Sequence, residues 1–597
     1  MNILLTTLNS KYIHSSLALR YLKSMCKDID VNISIEEFTI NNNTDFIVRE
    51  IYRKKPDVIG FSCYIWNIEI IKEIAYKIKK SLPDVKIIFG GPEVSFDCEQ
   101  LMQDFEFIDY IICGEGEFTF KDLILRLNTN DYNLNTVEGL VYRQNNEIIK
   151  NKPRALIENL DEIPSPYYED LSDLKDRIVY FESSRGCPFN CKFCLSSVLK
   201  GTRYFSIERI KKELKKLIDA EVRQVKFVDR TFNTNKQFAI TIMKYIIQQN
   251  VKNINFHFEV TAHILDDEML NFLKDVPKGL FQFEIGVQST NEKVIKGVNR
   301  TTDFNKLSEV VKLINSYNNI HQHLDLIAGL PYEDFESYKK SFNDVYRLRP
   351  EKLQLGFLKL LKGTQLRAEK DIHGFVFYDK PPYEVMFNKY ISFEEMSKIK
   401  EIEEIVERYS DEDYFKFTLD FLINNFYKEP FDFFEDLSNY WLENEYNKVS
   451  HSKNKLYVII DKFYKYKGYE HYDIFNQLIK YDYLSGNKNP VIPSFMIRKD
   501  ENVILRQRHT FLKESNNINE YSDNSNKPVK KLINEMHFEK FNVDVLELSK
   551  RGFAIEDVQS YNKEVVLLFK YLSGKNSFDR CKVFDVTDEF EKLIKER

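Results

Sequence analysis

No apolar run in this 597-residue chain reaches the roughly 18 residues that would span a bilayer, so no membrane-crossing helix is expected. The start, Met1-Asn2-Ile3-Leu4-Leu5, lacks a cationic leader and a long apolar stretch; a first strand is expected there, not a signal peptide. An excess of positive charge is lacking too. The net charge is −6, which gives no general drive toward nucleic acid or anionic membranes. Cysteine is sparse: of eight, Cys26, Cys63, Cys98, Cys113 and Cys581 stand singly. That is no secreted disulfide framework, and a reducing cytoplasm fits it better. What is present, 43% hydrophobic and 30% charged residues, suits a soluble globular protein of several domains.

Hydrophobic periodicity divides the chain. Residues 1–135 alternate apolar runs (Ile3–Thr7, Val31–Phe38, Val58–Ser62, Ile87–Gly90, Tyr110–Cys113) with amphipathic segments (Leu17–Met25, Ile68–Ile78, Cys98–Phe105, Phe118–Leu127). This predicts a doubly wound parallel sheet with ligands beyond its C-terminal strand ends. Residues 136–177 read as a small hairpin, turned at Asn145-Asn146, and a proline-stiffened connector. Residues 178–385 hold six further strand–helix units, from Val179–Glu182 to Lys352–Phe357, and predict an open (β/α)6 partial TIM barrel. Residues 386–513 turn mostly α-helical, with Glu394–Tyr409 and Asp413–Asn425 as helices. The dense aromatics Phe431, Phe433, Phe434, Tyr440 and Trp441 read as core, or alternatively as a substrate pocket. Residues 514–597 read as a linker and a small C-terminal appendage.

The chemistry is concentrated in Ser184-Arg185-Gly186-Cys187-Pro188-Phe189-Asn190-Cys191-Lys192-Phe193-Cys194. Three thiolates at this spacing can bind one face of a 4Fe–4S cluster and leave one iron open to a ligand. A structural zinc site would normally be closed by a fourth ligand, and none is adjacent.

This motif resembles the radical S-adenosylmethionine (SAM) superfamily. The resemblance covers at least residues 178–358 and implies a 4Fe–4S cluster on Cys187, Cys191 and Cys194. It further implies SAM on the open iron, its adenine near Phe193, and reductive cleavage to a 5′-deoxyadenosyl radical. Later strand ends resemble the subset containing oxygen-independent coproporphyrinogen oxidase: Phe258-Glu259-Val260, Gly286-Val287-Gln288-Ser289 with Arg300 following, and Asp325 in Leu324–Pro331. That implies Glu259 for the SAM ammonium, Gln288 and Asp325 for the ribose region, and Arg300 for the carboxylate, each suited by charge. The second strand ends in Asp229 where the superfamily often has a Gly-Gly-Glu-like segment. Asp229 either replaces that acid or caps its own loop.

The first domain resembles the cobalamin-binding domain fused in front of such barrels. The matching residues are Gly60-Phe61-Ser62, Gly90-Gly91-Pro92-Glu93 and Gly114-Glu115-Gly116-Glu117. Ser62, Gly90, Gly91 and Gly114 would leave a slot for a nucleotide tail. The D-x-H-x-x-G motif is absent, since Tyr12 and Leu17 flank His14; the resemblance then implies base-off cobalamin with no protein histidine below the cobalt. The whole architecture resembles cobalamin-binding-domain radical SAM proteins with a C-terminal helical domain of unknown function.

The expected function is therefore reductive SAM cleavage with cobalamin-assisted methylation of an unactivated centre. The expected partners are a small-molecule or peptide substrate and a one-electron donor such as flavodoxin or ferredoxin. Two alternatives stand beside it. An RNA methylthiotransferase would need three more cluster cysteines in the first domain, to which Cys26, Cys63, Cys98 and Cys113 show no obvious correspondence. A corrinoid-responsive binding protein would not need the cysteine triad.

Overall fold

The computed structural model describes residues 1–129, 131, 133–198, 201–410, 414–488, 491–513, 521, 528–555, 562–572 and 580–595. The first domain opens with β1 (Asn2–Asn9), β2 (Asn32–Thr39), β3 (Val58–Ser62), β4 (Lys86–Gly90) and β5 (Tyr110–Ile112), all parallel to their neighbours. The expected hairpin is β6 (Leu140–Gln144) and β7 (Glu147–Lys150). It adds to the same sheet antiparallel to β5, giving the order β2-β1-β3-β4-β5-β6-β7. Asn145 and Asn146 both take positive φ, 51° and 64°, as a tight hairpin turn requires.

Apolar side chains cover both faces of this sheet. On one, Ile47 and Ile51 of helix Thr44–Lys54 join Ile71, Ile74 and Ile78 of helix Ile68–Ser81. On the other, Leu19 of helix Leu17–Met25 meets Phe120 and Leu123 of helix Glu117–Asn128. Burial on both faces turns the C-terminal strand ends into the sheet's accessible edge.

Next come β8 (Ile178–Phe181), a hairpin of β9 (Ser184–Cys187) and β10 (Gly201–Tyr204), and then β11 (Gln224–Phe227), β12 (Asn255–Glu259), β13 (Phe281–Gln288), β14 (His321–Ala328) and β15 (Lys352–Phe357). Apart from the hairpin these form one six-stranded sheet in sequence order. Register puts Tyr180 beside Lys226, Lys226 beside His257, and Glu259 beside Glu284. The alternate residues Phe181, Val225, Phe227, Phe256 and Phe258 are buried and apolar, so one face of the sheet is core and the other polar. A short pair, β16 (Val376–Phe377) with β17 (Val385–Phe387), follows.

The chain groups into two compact units. The first is 1–320, 327–334 and 356–392; the second is 321–326, 335–355 and 393–597. In the second, helices Phe393–Tyr409, Lys416–Phe426, Pro430–Glu443, Lys453–Lys467 and Tyr472–Gly486 precede an antiparallel sheet of β18 (Met536–Phe541), β19 (Val565–Tyr571) and β20 (Cys581–Asp585). Phe431, Phe433, Phe434, Tyr440 and Trp441 are buried, the core role expected of them. Lys480 is buried beside Glu539, 3.4 Å away, with its ammonium also on the carbonyls of Ile497 and Lys540. Of the helix expected at Asp413–Asn425, Asp413 lies outside the described residues, as does most of the expected linker. Among the described residues no helix is long and apolar enough to cross a membrane.

One buried side chain fixes the first domain's strand ends. Asn67 Nδ2 donates to Thr7 Oγ1 (3.1 Å) and to the carbonyls of Leu8 and Ser62 (3.2 Å each), while its Oδ1 accepts from Tyr64 N–H (2.8 Å). Asn67→Ala removes all four bonds and takes the partner from Tyr64 N–H, although Thr7 Oγ1 still donates to Ser62 O and Trp66 Nε1 to Leu8 O. It should cost on the order of 2–4 kcal/mol, read as an earlier first transition in urea. A change within about 0.5 kcal/mol, typical of surface sites, would show that Asn67 does not hold these ends together.

Candidate active site

The cysteine loop starts on a strand. In the β9–β10 hairpin Cys187 pairs with Gly201 and Gly186 with Thr202. Gly186 has φ +92°, and a Cβ there would lie 2.0 Å from the Gly201 carbonyl oxygen, so only glycine fits. Further along, Lys192 N–H donates to Val298 O and Lys192 O accepts from Leu366 N–H, both at 3.0 Å. Lys192 Nζ also pairs with Glu369 at 3.0 Å. Cys194 N–H donates to Cys191 O at 3.0 Å. Phe193 packs against the cluster of Val294, Val298, Leu330 and Leu366.

Cys191 is buried, and burial pushes its thiol up. Arg300 opposes that shift, while Cys194 and Cys187 add to it, so the three sulfurs lie within mutual electrostatic reach. An iron–sulfur cube takes each of three thiolates on a separate iron and leaves the fourth iron open. The donor set fits the cube.

Strand ends bring the next group to this loop. Arg300 Nη1 lies 3.8 Å from Cys191 Sγ, and its Nη2 donates to Gly286 O at 2.9 Å. Gln288 ends β13 with φ +70°; its Oε1 is buried without a hydrogen-bond partner. A Cβ on Gly286 would come within 2.3 Å of Gln288 Nε2, so this glycine makes room for the glutamine. Glu259 ends β12. Burial pushes its carboxyl up to about 7; Arg230 and Lys226 oppose the shift, and Glu284 and Asp229 add to it. It is a buried acid that a cation would stabilise in its charged form. Beside it in the register, Glu284 takes Lys226 at 3.1 Å and His257 at 2.8 Å. Burial would raise Glu284, but the His257 hydrogen bond and the Lys226 charge bring it down to about 2. Asp325, midway along β14, belongs to the part of that strand that groups with the second unit and is half-buried there.

The structure settles two residues that the sequence leaves open. Asp229 is only 1% exposed; its oxygens accept from Ser183 N–H (3.1 Å), Ser183 Oγ (2.6 Å) and Ser184 Oγ (2.5 Å). It caps the loop after β8. His14 Nδ1 lies 3.1 Å from Tyr180 Oη, its ring stacks on Tyr180, and His14 bridges to Ile178 as a short extension of the barrel sheet.

Beyond β3, β4 and β5 lies a cavity of about 580 Å³. Ser62, Gly90, Gly91 and Gly114 all line it, and so do Arg185, Leu195 and Val198 from the cysteine region. The glycines differ in role. A Cβ on Gly114 would meet nothing within 4 Å, and one on Gly90 only ordinary contacts at 3.9 Å, so both keep the slot open, although Gly114, at φ +77°, is also favoured by its own turn. Gly91 has φ +112°, and its Cβ would strike the Cys63 carbonyl at 2.6 Å. Gly91 is thus demanded by its own turn, a constraint that the slot argument does not contain.

A buried charge network joins this cavity to the cysteine hairpin. Glu115 takes both terminal nitrogens of Arg203, at 2.7 and 3.0 Å. Arg185 pairs with Glu117 at 2.5 Å, Glu182 at 3.0 Å and Glu115 at 3.6 Å. Burial pushes Glu182 up to about 7 despite Arg185. Arg185 and Arg203 face each other in the hairpin register, so both strands beside Cys187 are tied to the Gly114 turn. Sequence reasoning quotes Arg185, Glu115 and Glu117 inside its motifs without assigning them this role. Arg203, Lys226, His257 and Glu284 carry no motif signal.

Comparison with known proteins matches three family models: a B12 binding domain over residues 3–124, the radical SAM superfamily over 181–345, and a protein of unknown function (DUF4080) over 371–569. The chain thus carries one segment that matches a B12 binding domain and another that matches the radical SAM superfamily. An uncharacterized methyltransferase, PH0819, of Pyrococcus horikoshii is 28% identical over 362 residues, 59% of this chain and 77% of that protein. The cobalamin-dependent radical SAM methyltransferase TokK of Streptomyces tokunonensis is 24% identical over 53% of this chain and 49% of its own length. The chain thus spans about half the length of TokK. Among solved structures, the cobalamin-dependent radical enzyme OxsB with aqua-cobalamin bound matches with a TM-score of 0.57 at 17% identity, covering 94% of this chain and 80% of that one. The methyltransferase TsrM from Kitasatospora setae, with cobalamin and a [4Fe-4S] cluster bound, matches at 0.54 and 15%, covering 64% and 78%. These two likenesses are of fold.

The hairpin geometry gives a direct test. Gly186→Ala should force β9 and β10 apart and abolish iron uptake on anaerobic reconstitution, with far-UV circular dichroism unchanged. Full iron loading in the folded variant would show that the hairpin does not position Cys187.

Proposed function

We propose that this protein reductively cleaves SAM at a 4Fe–4S cluster held by Cys187, Cys191 and Cys194. We further propose that it uses cobalamin, bound beyond β3–β5, to methylate an unactivated centre of a small-molecule or peptide substrate. The observation that carries this reading is the shared wall: Arg185, Leu195 and Val198 line the cavity and flank the cysteines. The two curated relatives are methyltransferases by name, which supports the choice of methyl transfer among corrinoid chemistries.

When bound, the cluster supplies the electron that cleaves SAM and the corrinoid carries the methyl group. The chain's own residues bind and orient. Glu259 receives the SAM ammonium, and Arg300 receives its carboxylate while lying against Cys191. The buried Oε1 of Gln288 accepts from a ribose hydroxyl, and Asp325 serves the same region. Phe193 offers an apolar surface to the adenine. Gly90 and Gly114 admit a nucleotide tail, with Ser62 and Gly91 shaping its slot. The buried, unpaired Oε2 of Glu117 suits a corrinoid side-chain amide. His14, engaged with Tyr180, fits base-off binding with no histidine below the cobalt. The electron donor belongs to the flavodoxin or ferredoxin class, and the compartment is the cytoplasm.

Reconstituted protein under strong anaerobic reductant should release 5′-deoxyadenosine from SAM. Glu259→Ala should keep its iron and weaken SAM binding by on the order of 2–3 kcal/mol, through loss of a charge-assisted contact. Unchanged SAM affinity in that variant would remove Glu259 from the site; no cleavage by the iron-loaded wild type would overturn the catalytic reading.

A further inference from the structure

Two thiols that the proposed chemistry does not use meet behind the cavity. Cys98 begins the helix Cys98–Asp104, and Cys113 follows β5 directly. Their sulfurs are 2.7 Å apart, inside van der Waals contact and a small closure away from a bond of about 2.05 Å. Cys98 is buried. Cys113 is partly accessible and lines the cavity beside Gly114.

The pair sits where two of the cavity's turns already touch. Ser95 Oγ donates to Gly91 O at 2.8 Å and accepts from Gly114 N–H at 3.4 Å. Gly91 and Ser95 precede Cys98 in the turn after β4, and Gly114 follows Cys113 in the turn after β5. A covalent link between the sulfurs would therefore join the same two turns that this weak bridge joins. The electrostatics suit exchange chemistry. The hydrogen bond from Cys113 lowers the Cys98 thiol against the effect of burial, and the Lys150 ammonium also lowers it. The bond to Cys98 and burial raise Cys113. The shared hydrogen bond and the Lys150 charge thus favour ionisation of Cys98 over Cys113.

We propose that Cys98 and Cys113 form a redox-active dithiol, closed by exchange with a small-molecule disulfide such as oxidised glutathione, and that closure staples the Gly91 and Gly114 turns across the cavity. Cys113, reached from the cavity, attacks the glutathione disulfide as its proton passes to Cys98 Sγ. One S–S bond breaks, a mixed disulfide forms on Cys113, and one glutathione leaves as the thiolate. Cys98 then attacks Cys113 Sγ and the second glutathione leaves with that proton. The protein thiol–thiolate pair is oxidised and one glutathione disulfide is reduced to a thiolate and a thiol, so atoms and electrons balance. The consequence for the cavity rests on the cobalamin reading: a stapled wall exchanges a bound corrinoid more slowly than an open one.

The test uses the full-length, cluster-reconstituted chain, incubated anaerobically with oxidised glutathione, alkylated and mapped by peptide mass. The wild type should yield a linked Cys98–Cys113 peptide. Folded Cys98→Ser should stop with glutathione on Cys113, and folded Cys113→Ser should leave Cys98 alkylated and unlinked. Separate alkylation of both cysteines in the treated wild type, or an unmodified Cys113 in Cys98→Ser, would overturn the dithiol. Hydroxocobalamin is then added to the reduced chain. If it binds, the oxidised chain should release it slower by on the order of tenfold, and equal rates would overturn the staple. If the reduced chain takes up none, the cobalamin reading and the staple's consequence fall together, while the linked peptide still decides the dithiol.

Discussion

Arg185 leaves the strand one residue before Gly186 and two before Cys187, and its guanidinium is shared by Glu117, Glu182 and Glu115. Arg203, across the hairpin, is gripped by Glu115 through two nitrogens. Glu115 and Glu117 immediately follow the Gly114 turn of the first sheet. The network therefore ties the cysteine hairpin to the cavity wall. Such a cluster is costly to bury and costlier to break: removing one partner of a buried pair leaves an uncompensated charge, at about 3–5 kcal/mol. With several carboxylates around two guanidiniums, the hairpin has one geometry that satisfies them.

The rest of the first unit serves that junction. Isoleucines, leucines and phenylalanines on both faces of the first sheet bury everything except the strand ends. In the second sheet the apolar residues of each strand lie on one face, and Tyr180, Lys226, His257, Glu284 and Glu259 share the other. Glu284 is charged because Lys226 and His257 neutralise it. Glu259, one register level away from Lys226 and His257, is buried with less compensation. The polar face is thus satisfied at depth and left wanting a cation at its rim, where the strand ends meet the cysteine loop.

Much of this was legible in the sequence, and for physical reasons. Val58–Ser62 and Lys352–Phe357 are short apolar runs that the structure builds as strands with those bounds, and Leu17–Met25 is a helix with its expected bounds. Helix Thr44–Lys54 was not legible: its segment is polar apart from a narrow stripe, of which only Ile47 and Ile51 are buried. The β9–β10 hairpin escaped because its residues show no alternation, and its register depends on Gly186 lying opposite Thr202, close against the Gly201 carbonyl. The parallel first sheet also gained two antiparallel strands, since β6 pairs with the edge of β5 and a tight Asn145-Asn146 turn brings β7 back along β6. The cysteine spacing is local and could be read directly. The clamp could not, because Glu115 and Arg203 are far apart in the chain and their charges are ordinary surface types.

The central claim is that one clamp holds a cluster site and a corrinoid site side by side. Electron paramagnetic resonance on the anaerobic protein loaded with cob(II)alamin tests it most directly. On reduction of the cluster, the account predicts a cob(II)alamin signal broadened or split by coupling to the cluster spin. An unperturbed cob(II)alamin signal beside a fully reduced cluster would contradict it.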